Sequence, residues 1–146
     1  MIEFNHEYWM KRALAEAMNA ADQGEIPVGA VVVCNNQIIA RSHNQTEKLT
    51  DVTAHAEILA ITAAASYLGS KFLNDCSLYV TLEPCLMCAG AIHWARFKEV
   101  IIGAPDVKKG FSQYTDAPFH PKTQVSWDVL ADESAELLRE FFAKKR

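Results

Sequence analysis

The chain has 146 residues, 50% of them apolar and 22% charged, with a formal net charge of −4 at pH 7. That length suits one domain, spanning 1–146, with a sizeable core, and the composition excludes a disordered or fibrous chain. The acidic balance excludes a broad nucleic-acid-coating surface but leaves room for a local basic patch, and no apolar run approaches the roughly 20 residues that span a bilayer.

The opening stretch MIEFNHEYWMKRALAEA carries charge throughout and has neither an apolar h-region nor a small-residue cleavage site, so no signal peptide is expected. With four cysteines (Cys34, Cys76, Cys85 and Cys88) and no export signal, the expected compartment is the reducing cytoplasm. There, close cysteine pairs bind metal or do redox chemistry more often than they form structural disulfides.

From Phe4 to about Asp22, the residues Tyr8, Leu14, Ala17, Met18 and Ala21 recur at helical spacing, and Gly24 is a stop signal. VGAVVVC (Val28 to Cys34) is a buried-strand run, NNQ a turn, and IIARS a second strand, together a hairpin. The polar HNQTEKLTDVT is a loop, followed by a helix from about Ala54 to Leu68 that Gly69 closes. Then come the strand SLYVTL, a helix from Cys85 to about Arg96, and the strand EVIIG. Single strands alternating with single helices indicate an α/β sheet with parallel neighbours. Ala104 to Lys122 holds Pro105, Gly110, Pro118 and Pro121 and reads as a long loop. TQVSWDVL is expected as a fifth strand, and ADESAELLREFFAKKR as an amphipathic helix with Asp132 as its N-cap.

Chemistry concentrates in two short stretches, TAHAEILA with His55 and Glu57, and EPCLMCAG with Cys85 and Cys88. Each lies where a helix begins. On an ideal helix, residues two apart point to nearly opposite sides, so His55 and Glu57 share a target only if it lies off the helix N-terminus. Pro84 suits a helix start and puts both thiols in the first turn. Helix N-termini also lower thiol pKa values, which favours the thiolates a metal needs. Cys-x-x-Cys alone also fits a redox dithiol or a four-ligand structural zinc site, but the thioredoxin-type motif does not come with a His-x-Glu. Neither Cys34 nor Cys76 forms a second pair. Three protein ligands leave zinc one open tetrahedral position, as in catalytic sites. Glu57 then has a proton to carry, whereas its simpler reading is an acid placed favourably at a helix N-terminus.

His55-Ala56-Glu57 followed by Pro84-Cys85-Leu86-Met87-Cys88 matches the H-x-E and P-C-x-x-C signature of zinc nucleobase deaminases. Beyond it, EYWMKRALAEA, IPVGAVVV, LYVTLEPCLMCAGAI and LADESAELLREFF resemble the bacterial tRNA adenosine deaminases, over nearly the whole chain. The resemblance implies a cytidine deaminase-like α/β fold, three-layer α/β/α with a central five-stranded mixed sheet. It also implies one Zn²⁺ per chain on His55, Cys85 and Cys88, with Glu57 as the catalytic proton shuttle. Asn44 would hydrogen-bond the target base, with Ala56 and Asp106 as further substrate contacts. The implied assembly is a homodimer, the implied partner a tRNA anticodon loop, and the implied reaction adenosine to inosine at the wobble position.

The chain departs from that family after Asp106, where VKKGFSQYTDAPFHPKTQV replaces a segment of the Gly-Ala-Ala-Gly-Ser kind. Phe111, Tyr114, Phe119 and His120 either stack on bases beside Lys108 and Lys109 or anchor the loop to the core. Lys108 and Lys109 are the candidate nucleic-acid contacts, with Lys144, Lys145 and Arg146, a run that otherwise reads as a solvated helix end. GAIHWAR is similar to the guanine deaminases of the same superfamily, so a free-base guanine deaminase, or another nucleoside or base deaminase, is the alternative. A non-catalytic zinc-stabilised binding module, for which Glu57 is dispensable, is the alternative from another class. Trp94 is expected to pack beside Ile92, His6 and His43 to support from the surface, and His93 to be an ordinary helix residue. Cys34 is expected as a buried small hydrophobe and Cys76 as a loop thiol.

Overall fold

The structure is a computed structural model that describes residues 3–145. Arg146, named above as a phosphate contact, lies outside the described residues. In chain order the elements are α1 (His6–Asp22), β1 (Gly29–Cys34), β2 (Gln37–His43), α2 (Ala56–Leu68), β3 (Ser77–Leu82), α3 (Leu86–Ala95), β4 (Glu99–Ala104), a 3-10 turn (Phe111–Gln113), β5 (Gln124–Ser126) and α4 (Ala131–Lys144). The five strands form one mixed sheet in the order β2-β1-β3-β4-β5. β1 pairs antiparallel with both β2 and β3, whereas β3, β4 and β5 run parallel.

The β1–β2 hairpin turns on Asn35 and Asn36, both left-handed at φ 52° and 58°. That is the conformation a two-residue turn of type I′ needs, and asparagine tolerates it. From there β1 splits its side chains between two layers. Ala30 and Val32 join Leu78, Val80, Val100 and Ile102 under Ala56, Ala60 and Ala64 of α2 and Ala89, Ile92 and Ala95 of α3. Val31 and Val33 join Tyr79 and Ile101 under Trp9, Met10 and Ala13 of α1. Helix α4 also packs against β3, β4 and α1, which completes three layers, α/β/α. α1 lies so close to the sheet that a Cβ on Gly29 would come within 2.0 Å of the Ala13 carbonyl oxygen. Only glycine fits there.

Several sequence expectations need correction. The buried stripe of α1 is Trp9, Met10, Ala13, Ala17 and Ala20, rotated from the expected one, and Met18 is 56% exposed. Asn5, not Phe4, starts the helix, its side chain accepting from the Tyr8 N–H. The fifth strand shrinks to Gln124–Ser126 because Asp128 and Leu130 adopt positive φ, which ends extended backbone. Leu130 is therefore the α4 N-cap, and Asp132 sits inside the first turn. Pro84 precedes the α3 N-cap rather than occupying the first helical position. The two outlying thiols exchange roles: Cys76 is buried at 1% and Cys34 is half-buried. Trp94 is not packed beside Ile92 but 69% exposed. Of the loop aromatics, Phe111 and Phe119 are buried anchors in edge-on contact, while Tyr114 is exposed. Among the described residues, no helix is long and apolar enough to cross a membrane.

Two buried carboxylates hold the loops that flank the carboxyl end of the sheet. Glu25, 1% exposed, accepts from the backbone N–H groups of Glu47 at 3.1 Å and Lys48 at 2.8 Å. Glu83, 4% exposed, accepts from Asp106 N–H at 3.0 Å and Ser112 N–H at 2.9 Å. The second loop wraps Glu83 so tightly that a Cβ on Gly110 would lie 2.2 Å from its Oε2. Removing such an acceptor strands buried donors, at about 1–3 kcal/mol each. Glu83→Ala should therefore lose about 2–4 kcal/mol in urea unfolding, and Glu83→Gln, which keeps one carbonyl acceptor, about half as much. Equal stability of Glu83→Ala and the parent chain would show that the clamp does not hold the loop.

Candidate active site

Helices α2 and α3 begin at the same end of the sheet. β2 and β3 are both antiparallel to β1 and so parallel to each other, which delivers the following helix N-termini to one edge. His55 is the α2 N-cap at φ −76°, ψ 154°, and Cys85 is the α3 N-cap at φ −72°, ψ 173°. Both are extended rather than helical, so their side chains leave the helix axis and point off its end. This removes the opposition expected for residues two apart on an ideal helix: His55 stands outside the helix and Glu57 inside its first turn.

The His55 Nδ1 lies 3.6 Å from Cys85 Sγ and 3.4 Å from Cys88 Sγ. All three donor atoms lie within 4.8 Å of one another, the only such group of three or more metal donors among the described residues. Two ligands of a tetrahedral zinc ion, one nitrogen and one sulfur at their usual bond lengths, sit about 3.6 Å apart. The donor set therefore fits zinc in both element type and spacing. Cys34 and Cys76 take no part in it, so the requirement of a four-ligand structural site is unmet.

The thiols divide one charge between them. The Cys88 thiol hydrogen-bonds to Cys85 and, with His55 adding to the effect, draws Cys85 down to about 4. Cys88 keeps its proton well above the usual thiol range because of that same bond and its burial. His55 is raised, chiefly by its contact with Cys85. Glu57, 3% exposed, is pushed up to about 7, foremost by burial, with a backbone hydrogen bond and His55 opposing the shift.

Beside the donors lies a cavity of about 200 Å³. That is below the roughly 300 Å³ at which pockets for drug-sized ligands begin, and offers room for one ring system. Its walls bring together Asn44, His55, Ala56, Glu57, Cys85, Asp106 and Lys109. Ala56 is the first residue of α2 and lines the cavity, and its N–H has no intrahelical acceptor. Asn44, 7% exposed, accepts from Thr46 N–H and donates to the Ile26 carbonyl, both at 3.3 Å, which fixes its amide in the wall. Asp106 Oδ1 accepts from the N–H groups of Lys108 at 3.2 Å and Lys109 at 3.1 Å. Cys88 lies buried behind the cavity, and Lys108 is exposed outside it. Larger hollows of about 500 Å³ at the α1 N-terminus and about 620 Å³ along α1 and α4 contain none of the clustered donors. Sequence reasoning missed Glu25 and Glu83; a single acid one or two residues before a proline at the edge of an apolar run, as in EIPVG and LEPC, is the signal that marks them.

Known proteins share this arrangement. Residues 4–104 match the model of the cytidine and deoxycytidylate deaminase zinc-binding region. The tRNA-specific adenosine deaminase of Aquifex aeolicus is 44% identical, over 96% of this chain and 95% of its own length. The structure of a tRNA:A34 deaminase, studied for A-to-I editing at the wobble position, superposes with a TM-score of 0.83 at 43% identity, over 90% of this chain and 99% of that one. A guanine deaminase from Bacillus subtilis superposes with a TM-score of 0.67 at 46% identity, over 70% of this chain and 66% of that one. The matched region contains all three clustered donors and Glu57 and covers more than two thirds of the sequence, so the chain belongs to the cytidine and deoxycytidylate deaminase family of zinc-binding proteins.

Proposed function

We propose that this chain is a zinc-dependent hydrolase that deaminates adenosine to inosine at the wobble position of tRNA, acting as a single deaminase domain in the cytoplasm and as a homodimer. One observation carries the chemistry: a buried Glu57 beside three zinc-type donors, at the mouth of a cavity sized for one base. A binding module would have no use for burying a carboxyl group there, since burial without an ion partner is costly. The tRNA:A34 deaminase supports adenosine over guanine because its likeness joins 43% identity to nearly the whole of both chains, whereas the Bacillus subtilis guanine deaminase matches over 70% of this chain and that of Nitrosomonas europaea matches over 98% at only 26% identity.

His55, Cys85 and Cys88 would hold the zinc, which supplies a Lewis acid that brings the pKa of bound water toward about 7. Glu57 takes a proton from the attacking water and gives it to N1 of the purine as oxygen adds to C6. It then carries the proton left on the added oxygen to the departing amine, so the C6 carbonyl forms, ammonia leaves and inosine remains. Its raised pKa of about 7 equips it to hold and release a proton near neutrality. Asn44 and the Ala56 N–H orient the base, and Asp106 braces the loop that presents Lys109 at the rim.

Dimerisation has its own support. Tyr67, Leu68, Leu86, Met87 and Trp94 are exposed on the outer sides of α2 and α3, at 68, 42, 49, 40 and 69%. Both helices are apolar nearly all round, a pattern that calls for cover on the second face as well.

Three measurements test these readings. Metal analysis should find that Cys88→Ala loses most of its zinc, while Glu57→Gln retains about one ion per chain and loses at least about 100-fold in turnover. Retention of full turnover by Glu57→Gln would end the proton-shuttle role. An anticodon stem-loop with a wobble adenosine should be converted to inosine, with binding that weakens on a log–log salt plot by about 0.7–0.9 per phosphate contact. Lys108→Ala with Lys109→Ala should flatten that slope; conversion of free guanine with no inosine in the stem-loop would favour the guanine deaminase instead. In sedimentation, the parent chain should run as a dimer and Trp94→Glu as a monomer, and a parent chain that is monomeric at micromolar concentration would remove the assembly.

A further inference from the structure

Cys34 and Cys76 face each other across the sheet at the end remote from the zinc-type donors. β1 and β3 pair antiparallel with Val33 opposite Ser77, so the next position sets Cys34 opposite Cys76. Neither spends its main chain on the other. Cys34 pairs with Gln37 across the two-residue Asn35–Asn36 turn, which directs its backbone polar groups toward β2. The Cys76 N–H donates to Leu73 O at 3.0 Å, and its carbonyl accepts from Lys98 N–H at 3.0 Å, on the β4 side. The two cysteines are therefore a non-hydrogen-bonded antiparallel pair, the narrow kind, with Cα atoms about 4.5 Å apart. That separation lies within the roughly 4.4–6.8 Å that disulfides span. Both side chains lie on the α2 and α3 face, with Cys76 inside the core and Cys34 packed against it, and the Cys34 thiol donates to the carbonyl of Asp75, the residue before Cys76, at 3.7 Å. Both are free.

We propose that Cys34 and Cys76 form a redox-modification site, a dithiol that hydrogen peroxide oxidises to a cross-strand disulfide. Half-buried Cys34 meets the oxidant first. Its sulfur attacks the peroxide oxygen, giving the sulfenic acid and one water. The Cys76 sulfur then attacks the Cys34 sulfur, forming the S–S bond and expelling the second water. Two thiols lose two hydrogens and two electrons, and the peroxide is reduced to two waters. The bridge closes the chain from 34 to 76 into a loop that contains Asn44, His55 and Glu57, yet it lies the length of β1, on the order of 16 Å, from their cavity. Catalysis therefore survives oxidation. Burial, with the Cys34 neighbour adding to it, pushes the Cys76 thiol up to about 12, so the attacking thiolate is scarce near neutrality and the bridge forms slowly there.

The test uses the full-length, zinc-loaded protein. It is treated with a modest excess of hydrogen peroxide, quenched by alkylation, digested and mapped by mass spectrometry without reductant. The first product should be a Cys34–Cys76 cross-linked peptide, with zinc retained, activity unchanged, and a rate that rises about tenfold per pH unit below the thiol pKa values. Cys34→Ser should abolish the cross-link, and Cys76→Ser should leave a Cys34 sulfenic acid that a dimedone-type reagent traps. If Cys76→Ser does not fold, the parent map and Cys34→Ser still decide. A first product that joins Cys85 to Cys88 with loss of zinc, links Cys34 between two chains, or leaves Cys76 open to alkylation would overturn the proposal.

Discussion

Helices normally begin on a short polar side chain that satisfies one of their free N–H groups, and α2 and α3 both begin on one that does not. His55 and Cys85 occupy the N-cap positions without any side-chain capping bond. Giving up a Ser, Thr, Asp or Asn cap costs about 1 kcal/mol per helix. What the chain gains is direction. An N-cap residue is extended, so its side chain projects beyond the helix end, where a second helix can aim at the same point. The helix dipoles then favour negative charge at that point, which suits thiolate ligands. Every other feature of the site depends on that convergence, and it depends in turn on β1, whose antiparallel pairing with both neighbours sends β2 and β3 to the same edge. The alanines at 56, 60 and 64 of α2 and at 89 and 95 of α3 let both helices sit close to the sheet, which brings the two donor sets together.

Three buried acids near this edge do different things because their partners differ. Glu25 and Glu83 each accept two backbone N–H groups, and such charge-assisted bonds offset the loss of hydration. They act as rigid posts around which the loops after Asn44 and Asp106 are wound. At Glu57 burial outweighs the hydrogen bonds the carboxyl group receives and drives its pKa up to about 7. A carboxyl group raised this way is suited to the proton transfer proposed for Glu57.

The zinc-type donors were legible in the sequence because a metal site is a short-range pattern: His55 and Glu57, then Cys85 and Cys88, each pair within one helical turn. The strands and parallel order were legible for a similar reason, since β-branched runs alternate with helical periods. The misreadings have a common cause. Met18, Trp94, Cys34 and Cys76 were judged by residue type and local period, while their burial is decided by which face a neighbouring element covers. The end of β5 depends on Asp128 and Leu130 entering left-handed backbone, a conformation that neither residue type announces. Glu25 and Glu83 escaped notice because their partners lie 22 to 29 residues away in the chain.

An acidic protein that binds a polyanion must place its few cations where the field of its acids does not reach. α4 carries Asp132, Glu133, Glu136 and Glu140, and it packs on the α1 face of the sheet. Lys109 stands at the rim of the cavity and Lys108 beside it, on the loop after β4. At physiological salt, charges separated by more than about 8 Å of solvent are largely screened, so acids on the far layer do little to cancel the two lysines. They still repel phosphate locally and disfavour docking on that face. The lysine backbone is itself fixed by Asp106 Oδ1, and Asp106 by Glu83. Binding a phosphate there would order only the side chains, which keeps the entropic cost of the contact small. The post that shapes the cavity wall thus also sets where the two lysines stand.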